Sequence, residues 1–353
     1  MIGAYPPPVH GAALVNTRMH SLLLSKGLSV EVINTAAQDI VSTYSVRAKR
    51  AGRIIQGLYR FLRLVANKRV TSAYLSISGG YGRFYDVAFI LLARVFGCKI
   101  ILHHHSFAYL DAPDVLASWI VRAAGKNAMH LVLCDAMETA LRGIRPMRAQ
   151  TLAISNAVFV GDPLMHSRKE RVSAFCLGFL SNVSRDKGIL EFMAVVDGLA
   201  REGMKLRARV AGPIVDGAIA ERLHKWVREQ PSVEYLGVVD GENKERFFQS
   251  IDVLLFPTNY RNEAEPLTIL EAMSKGIPVI AKQRGCIGSL LSGGAGVCVF
   301  EATDFVEVAK EVVRSWSNCS TLYEGVCEVT RERYQMILVR SRAAFENFLA
   351  ALS

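Results

Sequence analysis

Short apolar segments alternate with helix-forming segments along most of the chain, and this alternation limits the possible folds more than any other feature. Six apolar segments have the length and composition of buried strands, at residues 73–78, 100–105, 131–134, 174–180, 207–211 and 253–256. Strands that alternate with helices indicate parallel sheets covered by helices on both faces. A chain of 353 residues, 51% of them hydrophobic, has enough material for two such cores. We therefore predict an α/β protein with two doubly wound, parallel-sheet, Rossmann-like domains.

A predicted helix in the second half of the chain has glutamates both before its start and inside it. Glu263 and Glu265 precede Pro266, which fits a first helical position because its missing N–H is not needed there. We predict that the helix begins just after Glu263 and that Glu271 lies about one turn inside. A helix start binds anions, so a diphosphate can rest there while Glu271 contacts a ribose and Glu263 a sugar. The residues alone fit equally well a helix whose first glutamates complement the dipole and whose Glu271 is solvated.

The spacing of Glu263 and Glu271 resembles the Glu-x7-Glu signature of the retaining glycosyltransferases of family 4, the glycosyl transferases group 1. The resemblance implies that Glu263 orients the hydroxyls of a donor sugar and that Glu271 holds the ribose of a nucleotide. It also implies that Pro266 and Leu267, at the start of the helix, line the donor site.

Residues 179–188 resemble the segment of that family whose basic side chains bind the donor diphosphate. Lys187 and Gly188 match the family pattern. Asn182 stands where many relatives carry an arginine. We therefore expect that this phosphate contact is either lost or moved to Arg185, beside Lys187.

Two segments in the first half of the chain resemble the same family. In residues 5–13, Gly11 matches a glycine that lets the backbone approach the donor sugar phosphate. In residues 101–106, an apolar strand ends in histidines, and His105 best matches a family histidine that hydrogen-bonds the sugar or the acceptor. Side chains alternate along a strand, so His104 should point to the opposite face. Apart from the resemblance, these histidines read as ordinary strand-end residues bonded to the backbone.

The resemblance implies the GT-B arrangement, in which two Rossmann-like domains face each other across a cleft that holds the site. We assign residues 1–156 to an N-terminal acceptor domain and residues 157–330 to a C-terminal donor domain. Residues 331–353 are expected to form a helix that crosses back to the first domain. Only four residues precede the first matched segment, so we expect a short first strand.

The resemblance implies transfer of a hexose-type group, with retention, from a UDP- or GDP-linked sugar to a saccharide or lipid-linked hydroxyl. Such a reaction serves polysaccharide or glycolipid biosynthesis. Lys187, Arg185 and the helix N–H groups would stabilise the departing diphosphate, so we expect no metal and no cofactor beyond the donor. The sequence has no Asp-x-Asp pair after an apolar strand, as a Mg²⁺ site would favour, and no Cys-x-x-Cys pair.

Other functions fit parts of the same pattern. A nucleotide-sugar epimerase or hydrolase of the GT-B type would share the donor-binding half but consume the donor without an acceptor. A non-catalytic GT-B scaffold protein would keep the fold and tolerate loss of donor groups. A nicotinamide-dependent oxidoreductase is disfavoured, because no Gly-x-Gly-x-x-Gly lies between a strand and a helix.

Positive charge is concentrated in the first half of the chain. Residues 1–156 contain 18 Lys and Arg against 7 Asp and Glu, whereas the whole chain has a net charge of +10. Residues 46–65 combine several of these cations with a helical apolar stripe that we assign to Ile54, Leu58, Phe61, Leu62 and Val65. Such a helix either docks on an anionic membrane or packs its stripe on the sheet and leaves its arginines solvated.

Nucleic acid is disfavoured as a partner, because no binding motif or aromatic stacking pattern accompanies the charge. The chain also shows no charged-then-apolar signal segment at its N-terminus. We expect a cytoplasmic protein, either free in the cytoplasm or peripheral on the inner face of the membrane.

Overall fold

The computed structural model describes residues 1–7, 11–36, 44–77, 79–111, 114–144, 149–163 and 174–352. At residues 44–49 and 81 it describes the backbone but not the side chains. Contacts divide the chain into two compact units. Unit 1 contains Met1–Phe159 and Arg340–Ser353, and unit 2 contains Val160–Val339.

Unit 1 is built on a parallel sheet of six strands in the order β2-β1-β3-β4-β5-β6. The strands are β1 (Ile2–Gly3), β2 (Ile33–Asn34), β3 (Ser72–Ile77), β4 (Lys99–His104), β5 (Met129–Val132) and β6 (Gln150–Ala153). The helices are α1 (Gly11–Ser25), α2 (Tyr44–Ala66), α3 (Arg83–Val95), α4 (Val115–Ala124), α5 (Asp135–Ile144) and α6 (Ala157–Val160). A short 3₁₀ turn, Gly80–Gly82, precedes α3.

Helices cover both faces of this sheet. On one face, α2, α3 and α4 share a core that includes Phe61, Phe89 and Ile120. On the other face, Met19 of α1 packs with Phe348 from the C-terminal residues of the chain. The central strands β3, β4 and β5 are buried on both faces, because each contributes side chains alternately to the two cores.

Unit 2 is built on a second parallel sheet of six strands, in the order β12-β11-β10-β7-β8-β9. The strands are β7 (Phe175–Leu180), β8 (Leu206–Ala211), β9 (Val233–Tyr235), β10 (Val253–Phe256), β11 (Val279–Lys282) and β12 (Gly296–Val299). The helices are α7 (Ile189–Arg201), α8 (Gly217–Glu229), α9 (Gly241–Gln249), α10 (Leu267–Ser274), α11 (Ile287–Leu290), α12 (Phe305–Asn318) and α13 (Ser320–Leu352). A 3₁₀ turn, Ser292–Gly294, precedes β12.

The prediction of an α/β protein with two parallel, Rossmann-like sheets is confirmed. Each of the six predicted strands is present, with ends that differ by no more than two residues. The first strand, β1, has two residues, as the short segment before the first motif indicates.

The C-terminal helix is longer than the sequence pattern suggests. We expected it to begin at Arg331, but α13 runs from Ser320 to Leu352 without a break. Its residues up to Val339 belong to unit 2, and those from Arg340 onward belong to unit 1. Phe345 and Phe348 of the last part are buried in the core of unit 1.

The basic helix α2 differs in one respect from the predicted stripe. Ile54, Phe61 and Val65 are buried against the sheet, in agreement with the ordinary interpretation, but Leu62 is 38% exposed and lies outside the packed face. At 3.6 residues per turn, Leu62 is rotated by about 100° from its neighbour Phe61. The side chains of Arg47 and Lys49 lie outside the described residues. Within the described part of the chain, no helix is long and apolar enough to cross a membrane.

Candidate functional site

In the sheet of unit 2, the order in which the chain adds strands reverses between β7 and β10. From β7 the chain proceeds through β8 and β9 on one side, and it then returns to β10 on the other side. The two strands pair in parallel, with Val253 opposite Leu177 and Leu254 opposite Gly178. The loops that follow β7 and β10 therefore leave the sheet side by side, at the kind of switch point where α/β proteins bind ligands.

The loop after β7 is held by two close backbone approaches that require glycine. Gly188 has φ 84°, and a Cβ there would lie 2.1 Å from the carbonyl oxygen of Pro257, directly after β10. Gly212, after β8, has φ 126°, and a Cβ there would lie 1.9 Å from the carbonyl oxygen of Ser181. The N–H of Asn259 also donates to the carbonyl of Asp186 at 2.8 Å. These contacts fix the loop between its two neighbours.

Lys187 and Glu263 meet where the two loops adjoin. The Lys187 Nζ lies 2.5 Å from Glu263 Oε2, and the side chains are 17% and 12% exposed. The same Nζ lies 4.2 Å from the ring centroid of Tyr260, a cation–π distance. The hydroxyl of the buried Thr258 donates to Glu263 Oε2 at 3.5 Å. A cation and a carboxylate are thus held together at the carboxyl edge of the sheet.

Helix α10 begins later than predicted. Its first residue is Leu267, and Pro266 precedes it in an extended conformation with ψ 124°. Our prediction that the helix begins just after Glu263 is therefore wrong. The reason is a tertiary contact: the carbonyl of Ala264 accepts a hydrogen bond from Cys286 N–H at 2.8 Å, which holds this segment outside the helix.

The segment before α10 packs closely against Gly285. A Cβ on Gly285 would lie 2.5 Å from the Ala264 carbonyl oxygen and 2.7 Å from that of Glu263. The first hydrogen bond within α10 is donated by Leu270 to the Pro266 carbonyl. The N–H groups of residues 267–269 therefore have no acceptor within the helix, and a helix start of this kind is a potential anion site. Gly276, with φ 68°, follows the end of α10 as predicted.

Glu271 is buried inside α10 and is not a solvated helix residue. Its Oε2 lies 2.5 Å from the Nζ of Lys244 on α9, and the side chains are 12% and 27% exposed. The predicted ribose ligand is thus paired with a lysine that the sequence did not single out. A second cluster that the sequence did not indicate joins Lys282 to Glu191 at 3.0 Å and to Asn259 at 2.8 Å. Asn259 is the third residue after β10, so this cluster also supports the loop that carries Glu263.

Unit 1 contains the other two predicted site residues, and each is described within that unit. Gly11 is the first residue of α1, and no described atom lies within 4 Å of a Cβ built on it. Residues 8–10 of the predicted glycine loop lie outside the described residues. His105 follows β4 and is half-buried, with its ring centroid 3.8 Å from that of His103.

His104 points to the opposite face from His103 and His105, as strand alternation predicts. Its Nδ1 lies 2.7 Å from the Tyr109 hydroxyl, and its Nε2 lies 3.0 Å from His130 Nδ1. His103 instead forms a short hydrogen bond with the Tyr74 hydroxyl. Both His103 and His104 are thus structural core residues bonded to side chains, not to the backbone as the ordinary interpretation assumed.

Burial governs the titration of these core histidines. Desolvation, followed by the neighbouring histidines, holds the pKa values of His103 and His104 well below the usual 6.5. Desolvation, with a smaller contribution from the Arg142 charge, lowers the pKa of His130 to about 4. All three imidazoles are therefore neutral at neutral pH.

The structure brings together Lys187, Glu263, Pro266, Leu267 and Glu271 on the loops and helix at one edge of the unit 2 sheet. Arg185 lies two residues before Lys187 with an exposed side chain, and Asn182 is half-buried in the same loop. Within the described residues, no group of three or more His, Cys, Asp or Glu side chains is placed to hold a metal ion.

Comparison with known proteins points to one family. Residues 174–318 match the family model of the glycosyl transferases group 1. Over 163 residues, 46% of this chain and 41% of the relative, the sequence is 25% identical to the capsular polysaccharide biosynthesis glycosyltransferase CapM of Staphylococcus aureus. Over 259 residues, it is 23% identical to the phosphatidylinositol N-acetylglucosaminyltransferase gpi3 subunit of Schizosaccharomyces pombe, covering 72% of this chain and 56% of that protein. The chain spans about half the length of the curated relatives that it matches.

Solved structures share the fold along nearly the whole chain. HepE of Anabaena, crystallised with UDP and glucose, has a TM-score of 0.70 at 14% identity and covers 99% of this chain and 98% of its own. Sucrose-phosphate synthase of Thermosynechococcus elongatus has a TM-score of 0.74 at 16% identity and covers 99% of both chains. Residues 174–318 are therefore similar to the glycosyl transferases group 1, and the chain as a whole has the GT-B fold.

Proposed function

We propose that the chain is a glycosyltransferase that moves a sugar from a nucleotide diphosphate sugar to an acceptor hydroxyl. The observation that carries the proposal is the meeting of Lys187 and Glu263 at the switch point of the unit 2 sheet, beside the start of α10. The match to the group 1 family and the fold shared with HepE, a protein crystallised with UDP and glucose, support it.

The charges of the site suit a diphosphate donor. An incoming diphosphate competes with Glu263 for Lys187, and it also faces the N–H groups of residues 267–269. Release from Lys187 leaves the Glu263 carboxylate to accept hydrogen bonds from the sugar hydroxyls, and Glu271 accepts from the ribose. As the bond between sugar and diphosphate lengthens, negative charge accumulates on the diphosphate, where Lys187, Arg185 and the helix start stabilise it.

Several finer features belong to the same proposal. The resemblance supports retention at the transferred sugar, a UDP- or GDP-linked donor, and His105 of unit 1 as the residue that contacts the sugar or the acceptor. Because Lys187, Arg185 and α10 supply positive charge, we propose a reaction that needs neither a metal nor a further cofactor. The names of CapM and the gpi3 subunit support a saccharide or lipid-linked acceptor and a place in polysaccharide or glycolipid biosynthesis.

A binding experiment with matched variants tests the donor site. Isothermal titration with UDP, GDP, ADP and uridine should give binding to one nucleoside diphosphate in the full chain. Lys187→Met should weaken that binding about tenfold or more while leaving the weaker uridine affinity unchanged, because Lys187 acts on phosphate charge. Glu271→Ala should weaken both. Lys225→Met, an exposed lysine on α8, is the control and should change neither.

The reaction itself is tested by following donor consumption and product formation with and without candidate saccharide acceptors. Acceptor-dependent consumption, unchanged by EDTA and with retained anomeric configuration, supports the whole proposal. Consumption that proceeds equally without an acceptor would instead favour an epimerase or a hydrolase. Equal nucleotide affinities in the wild type and Lys187→Met would contradict the assigned site, and no nucleotide binding at all would favour a scaffold protein.

A further inference from the structure

The exposed apolar side chains of unit 1 are concentrated on three neighbouring helices. Helices α2, α3 and α4 pack on the same face of the sheet, and α3 contacts both of the others. In the described part of unit 1, every large apolar side chain that is exposed, except Leu24, lies on these helices or directly after α3. They are Ile55, Tyr59, Leu62, Phe84, Leu91, Val95, Phe96, Val115 and Trp119. Scattered exposed apolar residues are normal, but a cluster of this kind marks an interaction surface.

On α2, the exposed residues form a second stripe beside the buried one. Ile55, Tyr59 and Leu62 are 67%, 62% and 38% exposed, and their spacing of four and three residues places them on one side of the helix. The buried stripe of Ile54 and Phe61 lies about 100° away. None of the three belongs to the core cluster of unit 1.

The same spacing recurs on the neighbouring helices. On α3, the exposed Phe84, Leu91 and Val95 are separated by seven and four residues. On α4, the exposed Val115 and Trp119 are four residues apart. All three helices thus present an apolar row on the side that faces away from the sheet.

The charged residues of these three helices are almost all basic. The sequences of α2, α3 and α4 contain nine Arg and Lys residues and a single carboxylate, Asp86, which is only 5% exposed. The Arg63 guanidinium lies 6.0 Å from the ring centroid of Tyr59, and the exposed Arg122 continues the α4 row one turn after Trp119. Two of the nine cations are paired with carboxylates outside the helices, Arg60 with Glu31 at 2.6 Å and Arg83 with Asp114 at 2.8 Å. Positive charge still predominates beside the apolar rows.

We propose that this face of unit 1, formed by α2, α3 and α4, docks on the surface of an anionic lipid bilayer. Apolar side chains enter the boundary between headgroups and acyl chains, while arginines bind lipid phosphates. A second copy of the chain is a poor occupant, because a two-fold contact would bring the same cations together. Nucleic acid is also a poor occupant, because five of the nine exposed apolar side chains are aliphatic and the sequence contains no nucleic-acid-binding motif. The inference is independent of the donor site.

Trp119 gives a specific optical test. The chain has three tryptophans, and Trp226 and Trp316 are buried while Trp119 is 52% exposed. With full-length protein, vesicles of phosphatidylcholine containing one third phosphatidylglycerol should shift the emission to the blue, and brominated phosphatidylcholine should quench it. Pure phosphatidylcholine vesicles should have a much smaller effect. Trp119→Phe should abolish both signals without preventing vesicle flotation.

Matched variants separate the surface from general charge and hydrophobicity. Arg63→Glu with Arg122→Glu should reduce vesicle binding by about tenfold or more, because each lost cation weakens attraction to anionic lipid. The control is Arg222→Glu with Arg228→Glu, two exposed arginines of unit 2, which makes the same charge change and should leave binding unaltered. Ile55→Ser with Leu62→Ser should weaken binding similarly, whereas Met336→Ser with Val339→Ser, two exposed residues of α13, should not.

Each other outcome overturns the proposal. Absence of a shift with anionic vesicles at low salt excludes the membrane as occupant. A blue shift that grows with protein concentration in the absence of lipid, together with a dimer by light scattering, identifies a second copy instead. Vesicle binding that the two unit 2 control pairs reduce as much as the unit 1 pairs shows that the attraction is not located on this face.

Discussion

Glu263 and Glu271 are each paired with a lysine. Lys187 neutralises Glu263 and Lys244 neutralises Glu271, each at 2.5 Å. A largely buried carboxylate is costly without a partner, so these lysines stabilise the site before any ligand arrives. A donor must therefore exchange partners with the two pairs, and its affinity is a difference between old and new contacts.

The Lys244–Glu271 pair provides the first prediction. Lys244→Met should lower the free energy of unfolding by about 1–3 kcal/mol, between the values of exposed and fully buried pairs. Lys225→Met removes a far more exposed partner, 3.8 Å from Glu229, and should cost less than about 0.5 kcal/mol. Urea unfolding of both variants measures the difference. Adding Glu271→Gln to Lys244→Met should recover part of the loss, and equal effects of the two lysine variants would contradict the prediction.

Gly188 provides the second prediction. Gly188→Ala should destabilise unit 2 by more than about 2 kcal/mol, because alanine is strained at positive φ and its Cβ would overlap the Pro257 carbonyl. Gly217→Ala is the control, since no described atom lies within 4 Å of its Cβ at the start of α8. It should be neutral or stabilising by up to about 1 kcal/mol. Thermal unfolding of the two variants compares them directly, and a tolerated Gly188→Ala would refute the close packing of the two loops.

The sequence was sufficient to identify the site residues that belong to a motif. It was not sufficient to identify those that reach the site only through the packing of separate elements. Glu263, Glu271 and Lys187 follow from their places around a helix start and a loop after a strand. Lys244 does not, because its contact with Glu271 depends on how α9 packs beside α10. Thr258 and Lys282 lie at the carboxyl ends of β10 and β11. This position at the end of a strand was the only sequence feature that could have identified them as candidates for the site.

Among the elements, helices were harder to delimit than strands. The strands are short apolar segments that end where the polar loops begin, so the local sequence is sufficient to predict their ends. The start of α10 depends on the contact between Ala264 and Cys286, which are far apart in sequence. Helix α13 runs through Gly325, a residue that weakens a helix but does not end it when the neighbouring turns are packed.

The end of α13 provides an element-scale prediction. Phe348 is fully buried in the core of unit 1 with Met19 and Met129. Phe348→Ala should cost about 3–5 kcal/mol of stability, the usual range for removing a buried phenylalanine. Met336→Ala, on an exposed part of the same helix, should cost less than about 0.5 kcal/mol. Circular dichroism melting would show the difference, and similar melting temperatures would indicate that the last turns of α13 do not support unit 1.

For the whole molecule, the period of the apolar pattern was sufficient to predict two parallel α/β sheets. The order of strands within each sheet was not predictable from that pattern, because any strand of similar apolarity can occupy the centre. The switch between β7 and β10, and with it the meeting of Lys187 and Glu263, therefore became visible only in the structure. The family resemblance supplied the same pairing of segments without giving its geometry.

The core histidines predict how stability depends on pH. Because the folded pKa values of His103, His104 and His130 lie below the usual 6.5, the unfolded chain binds protons first as the pH falls. Stability is therefore full above about pH 6.5 and is lost below it, by up to about 4 kcal/mol per pH unit for three histidines. Urea unfolding between pH 7.5 and 5 measures this slope. A flat profile over this range would contradict the prediction.

The chain passes between the two units twice, once at Phe159–Val160 and once within α13 at Val339–Arg340. One consequence concerns what happens when the backbone is interrupted. A cut at the first passage yields two fragments, and the C-terminal fragment still carries Phe345 and Phe348, which complete the core of the N-terminal one. The protein is therefore suited to fragment complementation: its two pieces should copurify after cleavage, held by the hydrophobic end of a single helix.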